Sequence, residues 1–521
     1  MLIRTIITAV LAIYAVFLTA THNMHMLQLN GYKNDEHINW IKKHLRQQWL
    51  LYYGLVLGLV RIFLPFLIVD ILIYPLLIMI ILVYRAIHRL NSKKKLVYTA
   101  RVKRMFATDI VLGVALIAVF ALTVGLKAMS GVFLIIVSSQ WFAVIVTNIL
   151  NHPFESALSR HYINDAKRIL ANAKDLTVIG VTGSYGKTSM KFFLQTLLAD
   201  RFNVLVTPGN FNTPLGVTIT VRNHLKPSHE IFICEMGARR VGEIREICEI
   251  AKPSMGVITS IGPQHLETFF TMENIQRTKF ELADAVVGKG PIFLNGDNEY
   301  IREKAEDYPD RVMFTTMDGG DGYRASDISV SAMGTDFTVT TPDGETEHFQ
   351  MRLIGAHNVI NVTGAIAVAH RLGISLKDLK VPVRRLSPVE HRMKLIERGA
   401  ATIIDDAYNS NPVGSKAAVE TLALFDGVRI LITPGMVELG EMEDELNEKF
   451  GTYAAPCCDY ILLVGKRRTE PIRKGAISAG FDEAKCKTFD GLEDAMAYAY
   501  SIKDQGHKYI LLENDLPDNY V

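Results

Sequence analysis

Residues 178–189 read VIGVTGSYGKTS. A β-branched apolar run, Val178 to Thr182, runs into a turn punctuated by Gly183 and Gly186, and Lys187, Thr188 and Ser189 open a segment that reads as a helix. A strand delivering its chain through such a turn aims backbone N–H groups and a helix N-terminus at one point. Lys187 adds a positive charge and Thr188 a hydroxyl able to ligate magnesium, so the stretch predicts a cradle for nucleotide phosphates formed by Gly183, Ser184, Tyr185, Gly186, Lys187, Thr188 and Ser189. The match to the strict P-loop spacing is a variant: the glycine expected five residues before Gly186 is Val181, with Gly180 and Gly183 on either side. A chance glycine turn is the competing reading, and the rest of the chain has to decide.

At 521 residues the chain has room for several domains. The net charge of +2 conceals two unlike parts. Up to residue 152 there are 15 Lys and Arg against 4 Asp and Glu, a balance of +11, and the remainder carries −9. The five cysteines (Cys234, Cys248, Cys457, Cys458, Cys486) have no CxxC spacing, so neither a zinc ribbon nor a disulfide framework is expected. No nucleic-acid partner is expected.

The basic first part is apolar. Ile3 to Ala20 is long enough to cross a bilayer, with Arg4 its only charge, and lacks a small-residue cleavage site. Trp49 to Tyr84 would reach roughly 54 Å as one helix against a bilayer core of about 30 Å. Its interruptions at Arg61, Pro65, Asp70 and Pro75 favour two spans or a re-entrant pair. Ile110–Leu126 and Gly131–Leu150, separated near Lys127, complete about five. Between Arg85 and Arg104 lie Arg89, Lys93, Lys94, Lys95, Arg101 and Lys103 and nothing acidic, a cytoplasmic signature shared by the loop with Lys33, Lys42, Lys43 and Arg46. Five spans then put everything after Leu150 in the cytoplasm. Arg61 and Asp70, costly inside apolar sequence, are read as span ends reaching to the interface, and a functional role is the alternative. Tyr162, Ala166, Ile169, Leu170 and Ala173 recur at helical spacing. They mark either a joining amphipathic helix or a core helix of the next domain.

Beyond the cradle, the strand-like runs IFIC, GVITSI and PIFLN alternate with polar or periodic sequence, which predicts an α/β fold with a parallel sheet and ligands at the carboxyl ends of its strands. Glu235 and His265 follow two such runs. TIID, RILIT, YILLV and YILLE repeat the rhythm after Pro388 and predict a second, Rossmann-like unit. The expected division is a transmembrane helical domain (1–152), a central ATP-binding domain (153–386) and a C-terminal Rossmann-like domain (387–521).

Ten motifs then carry a resemblance: TGSYGKTS (182–189), TPGNFNTPLGV (207–217), EMGA (235–238), HLETF (265–269), RTKFE (277–281), NGDN (295–298), GAHNVINVTGAIA (355–367), EHRMK (390–394), DDAYNSNP (405–412) and VELG (437–440). In order and approximate spacing the set resembles the Mur ligases, and most of all their D-alanyl-D-alanine-adding branch. The resemblance covers roughly residues 175–521. It implies an ADP-forming amide ligase that phosphorylates a carboxylate with ATP and lets an amine displace the phosphate. By the same resemblance Lys187 would hold the β- and γ-phosphates, and Thr188 with Glu235 a first Mg2+. His265 would serve a second, beside Lys279 as a carbamylated lysine or a plain phosphate-binding one. Asn358 and Asn361 would lie near the adenine, Asp406 at the ribose and Arg392 at the γ-phosphate. Residues Asn210 to Thr213 would face the acceptor carboxylate. Because Arg392 and Asp406 belong to the last domain, closure about a hinge near Ser387 is expected to gate catalysis, with ligand-free molecules open.

Three departures bear on the substrates. The apolar helices stand where the family's precursor-binding first domain would be, ENDLPDNY (513–520) replaces a KGSR-like stretch, and PGM (434–436) replaces GDM. The resulting expectation is a multi-pass membrane enzyme with cytoplasmic catalytic domains. It would join an amino acid or short peptide to a membrane-bound or polyprenyl-linked envelope precursor. The alternatives are a poly-γ-glutamate-type synthetase, or a transport or signalling protein that uses the domain as an ATPase.

Overall fold

The computed structural model describes residues 2–64, 67–89, 95–123, 125, 128–319, 321–399, 401–407 and 410–515. Pro65, Lys93, Lys94, Lys127, Tyr408, Asn409 and the end of ENDLPDNY lie outside the described residues, as do the side chains of Arg4, Arg46, Asp70 and Arg89. The chain forms two compact units that divide at Arg160 and His161.

The first unit is helical: α1 (Leu2–Leu29), α2 (Asn34–Lys43), α3 (Trp49–Phe63), α4 (Leu67–Arg89), α5 (Ala100–Thr123), α6 (Met129–Ser138) and the start of α7 (Gln140–Asn172). The expected boundary at residue 152 falls inside α7. Among the described residues two helices are long and apolar enough to cross a membrane, three if the α6–α7 pair, bent by 71°, counts as one, against the five spans expected, and two shorter apolar helices lie at Trp49–Phe63 and Ile71–Ile87. The tract from Trp49 breaks after Phe63, and α3, with 15 residues, reaches only about 22 Å. The Gly131–Leu150 tract breaks at Ser139. Small residues bring α3 and α6 together: a Cβ at Gly54 would lie 2.1 Å from Ser138 Oγ, and one at Gly58 2.8 Å from the Gly131 carbonyl. Arg61 is buried against the same seam, with its Cβ 3.0 Å from where a Gly131 side chain would start. It stands in the last turn of α3, at a helix end as expected.

The second unit opens on a nine-stranded sheet ordered β2-β3-β1-β4-β5-β6-β7-β8-β9. Its strands are β1 (Thr177–Thr182), β2 (Val204–Val206), β3 (Ile231–Glu235), β4 (Met255–Ile258), β5 (Ile292–Asn295), β6 (Arg311–Thr315), β7 (Gly322–Ser331), β8 (Gly334–Thr340) and β9 (Thr346–Met351). Pairing is parallel up to β7, and β7-β8-β9 is an antiparallel meander. The parallel strands are buried on both faces, which is why they read as unbroken apolar runs. Alternate side chains serve two cores. Ile179, Val181, Ile231 and Ile233 pack against α8 (Lys187–Leu198) and the Ala356–Arg371 helix, while Val178, Phe232 and Cys234 face the Glu243–Ala251 and Met272–Val286 helices. Ala166 of α7 is buried in the second of these cores, with Ile163, Ile169 and Leu170 against it. The Tyr162–Ala173 periodicity is thus a core-facing helix.

The sheet of the C-terminal part is ordered β10-β11-β15-β12-β13-β14: β10 (Lys394–Arg398), β11 (Ala401–Asp406), β12 (Val428–Thr433), β13 (Tyr460–Val464), β14 (Cys486–Phe489) and β15 (Lys508–Glu513). Only β10 pairs antiparallel. TIID, RILIT, YILLV and YILLE are β11, β12, β13 and β15.

Candidate active site

The cradle lies at the carboxyl end of β1. Gly183 and Gly186 have φ of 150° and 79°. A Cβ at Gly183 would meet Thr259 Oγ1 at 2.1 Å, and one at Gly186 would meet Asn361 Oδ1 at 3.0 Å. Both positions need glycine for conformation and for space. The loop is tied to the end of β4. Ser184 N–H donates to the Ser260 carbonyl (2.7 Å), Tyr185 N–H to Ser260 Oγ (3.0 Å) and Ser184 Oγ to the Gly262 carbonyl (3.0 Å). Ser184 and Tyr185 therefore shape the turn. The first-turn N–H groups of α8, which have no intrahelical acceptor, face the cradle.

Lys187 Nζ donates to the carbonyls of Gly183 (2.6 Å) and Ser184 (3.0 Å). Burial lowers its pKa to about 8, Glu235 opposing the shift and Arg392 adding to it. Glu235, the last residue of β3, is 2% exposed. Its Oε1 accepts from Thr188 Oγ1 and from Asn212 Nδ2, each at 3.1 Å. Its Oε2 lies 3.0 Å from Lys191 Nζ but accepts no directed hydrogen bond. A buried carboxylate oxygen in that state, beside a threonine hydroxyl, is a hard-oxygen pair that fits Mg2+. Among the described residues no group of three or more His, Cys, Asp or Glu forms a metal cage. Phosphate-bound Mg2+, held by one carboxylate, a hydroxyl and waters, does not require one.

His265, at φ 54°, hydrogen-bonds through Nδ1 to the Glu438 carboxylate. Burial lowers the imidazole's pKa, Glu438 opposing. Burial would raise the Glu438 carboxyl, yet His265 and Arg239 outweigh it and hold it at about 2. A neutral ring donating from Nδ1 keeps its Nε2 lone pair for an electrophile. Lys279 is 2% exposed, and among the described residues its Nζ has no hydrogen bond or ion pair, only the Phe269 ring at 5.8 Å. Burial, reinforced by Lys187, pushes its pKa well down.

The C-terminal sheet completes the site. Glu438 also takes Arg239 Nη2 at 3.3 Å, and its carbonyl accepts from Leu266 N–H at 3.1 Å. Arg392 lies close enough to act on Lys187 and Asp406 together. The two lobes are therefore in contact through Glu438, and the expected open arrangement is not the one adopted. Lys187, Thr188, Glu235, His265, Lys279, Asn361 and Arg392 converge. Asn358 instead donates to the Ile354 carbonyl just ahead of its own helix (2.9 Å), and among the described residues no side-chain hydrogen bond of Ser189 enters the cluster. Asp406, at the end of β11, is raised to about 6 by burial, against the pull of Arg392.

Behind Asp406, Glu513 ends β15 and accepts from Ser410 Oγ and from Thr433 Oγ1 (3.2 Å). Burial pushes it up to about 8, the Ser410 hydrogen bond opposing and Asp406 adding. The folded protein thus keeps a proton that the unfolded chain releases near 4.5, and stability falls as pH rises from there through 8. Glu513→Gln is expected to flatten that fall and to be the more stable protein at pH 8 by about 3 kcal/mol. Denaturant midpoints across pH 5–9 check this, and an unchanged slope would mean that Glu513 is ionised in the fold.

Two residues of the site carried no role in the sequence reading. Lys191 stands in the apolar stripe Met190–Leu194–Leu197 of α8, where a charge is itself a signal. Glu438 lies inside the VELG motif and becomes meaningful only once the lobes meet.

Residues 181–369 match the family description "Mur ligase middle domain", and residues 391–512 "Mur ligase, glutamate ligase domain". The chain is 34% identical over 319 residues to the UDP-N-acetylmuramoyl-tripeptide--D-alanyl-D-alanine ligase of Mycobacterium tuberculosis (strain H37Rv), covering 59% of this chain and 62% of that one. It is 31% identical over 371 residues to the ligase of the same name from Mycobacterium leprae, covering 64% and 71%. It is also similar to the MurF ligase from Thermotoga maritima solved in complex with ADP, with a TM-score of 0.61, 26% identity and 68% and 80% coverage. Against several further curated ligases of that name the chain spans 54% to 65% of their length.

Proposed function

Since the chain belongs to the Mur ligase family, we propose that it is an ADP-forming carboxylate–amine ligase of peptidoglycan-precursor synthesis, using ATP and Mg2+. The observation that carries this reading is the convergence of Lys187, Thr188, Glu235 and His265, around the carboxyl ends of the first sheet, with Arg392 from the segment leading into the second. Such chemistry needs the γ-phosphoryl charge neutralised and an acid held in line with it. An oxygen of the acceptor carboxylate bonds to the γ-phosphorus as the bond to ADP breaks. The incoming amine then forms the C–N bond, loses a proton and expels phosphate.

Each site residue has a task in this scheme. Lys187 and Arg392 offset charge on the γ-phosphoryl oxygens, and Asn361 and Asp406 flank the nucleoside. Thr188 and Glu235 would hold Mg2+, which when bound would draw charge off the phosphates. His265, oriented by Glu438, would offer Nε2 to a second ion. Lys279, whose charged form burial disfavours, is suited to attack CO2 and, with loss of a proton, become an anionic carbamate. A plain phosphate-binding lysine is its other role.

The relatives' names point to D-alanyl-D-alanine as the donor and to a UDP-N-acetylmuramoyl-tripeptide as the acceptor. A second reading, a lipid-linked acceptor taken by a membrane enzyme with cytoplasmic catalytic lobes, is favoured by the apolar helical unit and by ENDLPDNY at the strand end. Full-length protein in nanodiscs, given ATP, Mg2+, D-alanyl-D-alanine and either the soluble or the lipid-linked tripeptide, tests both. Phosphate release that needs acceptor and amine together, with the amide seen by mass spectrometry, is expected. Release independent of both would end the ligase reading, and faster turnover of the soluble acceptor would end the second.

A further inference from the structure

Lys191 is fully buried one turn beyond Lys187. Besides its ion pair with Glu235, in which the side chains are 0% and 2% exposed, its ammonium donates to the carbonyls of Thr207 (3.0 Å) and Gly209 (2.8 Å). Those carbonyls begin the 207–213 loop. Further along it, Asn212 reaches back to Glu235 Oε1 (3.1 Å) and accepts Gly237 N–H on its carbonyl (2.8 Å). Thr207 Oγ1 takes the N–H of Glu235 itself (3.1 Å). The loop is thus tied to Glu235 three ways, to its carboxylate through Asn212 and through the shared ammonium of Lys191, and to its backbone N–H through Thr207.

We propose that Lys191 is a positioning residue that couples metal–nucleotide loading to the order of the 207–213 loop. The inference rests on the reading of Glu235 as the Mg2+ carboxylate and of residues 210–213 as the acceptor loop. Lys191 fixes the Glu235 rotamer and offsets part of its charge, so the carboxylate is held for the metal without binding it at full strength. Any shift of Glu235 toward a metal is felt by the Lys191 ammonium and by Asn212, and so by the loop. Such coupling is reciprocal: ordering the loop strengthens metal–nucleotide binding by the same factor.

The test uses full-length protein in detergent, a fluorescent ADP analogue and Mg2+, with hydrogen exchange read at residues 207–213. In the wild type, Mg2+ with the analogue is expected to slow exchange across the loop. In Lys191→Met, Mg2+ is expected to bind the analogue complex about ten-fold more tightly, because Glu235 has lost its counter-charge. Loop exchange rises and no longer responds to Mg2+. General loosening of the fold would weaken metal binding, so the opposite directions of the two readouts separate coupling from damage. Asn212→Ala, which keeps the ion pair, is expected to lose the exchange response and, by the same reciprocity, the share of Mg2+ affinity that loop ordering supplies, without the tightening seen in Lys191→Met. It decides the matter alone if Lys191→Met does not fold. Wild-type exchange behaviour in these variants overturns the proposal. Mg2+ dependence that survives Glu235→Gln instead overturns the metal reading beneath it.

Discussion

Lys187→Met is expected to lower acceptor-dependent phosphate release by about 10³-fold, the largest single loss at this site. The side chain is half-buried at the mouth of the cradle, where a charge is screened less than at the open surface. Burial and Arg392 already press its pKa down to about 8. A bound triphosphate reverses that pressure, so the ammonium becomes fully charged where charge builds on the γ-phosphoryl group. Methionine keeps much of the volume and removes the charge. Because Lys187 donates to Gly183 and Ser184 of its own loop, some loosening of the turn is expected too. The Ser184 and Tyr185 bonds to Ser260 remain to hold the loop. Stopped-flow phosphate release together with titration of an ADP analogue measures both parts. A loss of less than ten-fold would remove Lys187 from the reaction.

The sequence exposed those parts of the fold whose physics is local. Val178–Thr182, Ile231–Cys234 and the middles of the four C-terminal runs are apolar because parallel strands are covered on both faces, and each is a strand. Gly183 and Gly186 stood out because no other residue satisfies both their φ and their crowding. The β7-β8-β9 meander went unread. With one wet face, its strands alternate buried and exposed residues, as in Phe337 and Phe349, which stack across the pair at 5.8 Å. Scattered hydrophobics in polar sequence gave no continuous run to notice. The interruption of the apolar tract near Pro65 was legible, and α3 ends at Phe63, whereas the break at Ser139 inside Gly131–Leu150 carried no proline or charge to mark it. Lys191 and Glu438 show a further limit. Each acts through a partner distant in the chain, Glu235 for one and His265 for the other, and spacing carries no trace of such pairs.

Arg392→Ala separates nucleotide binding from turnover. Arg392 comes from the segment between the two sheets, and its charge is felt both by Lys187 and by Asp406. Its neighbours explain why it arrives there: Met393 N–H donates to Asp406 Oδ1 (3.3 Å), and His391 Nδ1 pairs with Asp405 (2.8 Å). Both clamp the segment to the end of β11. The cradle and the first-turn N–H groups of α8 are untouched by the substitution, so affinity for the ADP analogue is expected to change less than three-fold. Turnover is expected to fall about 10²-fold, since the lost charge matters most when the γ-phosphoryl group is in transit. Removing Arg392 also takes a positive neighbour from Lys187 and an opposing one from Asp406, so both pKa values move upward. The alkaline limb of the rate profile, governed by loss of the Lys187 proton, therefore shifts to higher pH even as the maximum drops. Glu438→Gln provides the contrast. It weakens the lobe contact at His265 and leaves Arg392 in place, so its loss is expected to be overcome in part by saturating substrate, whereas that of Arg392→Ala is not. Unchanged turnover in Arg392→Ala would refute the role given to this residue, and equal rescue of both variants would make closure, and not charge, what the C-terminal lobe contributes.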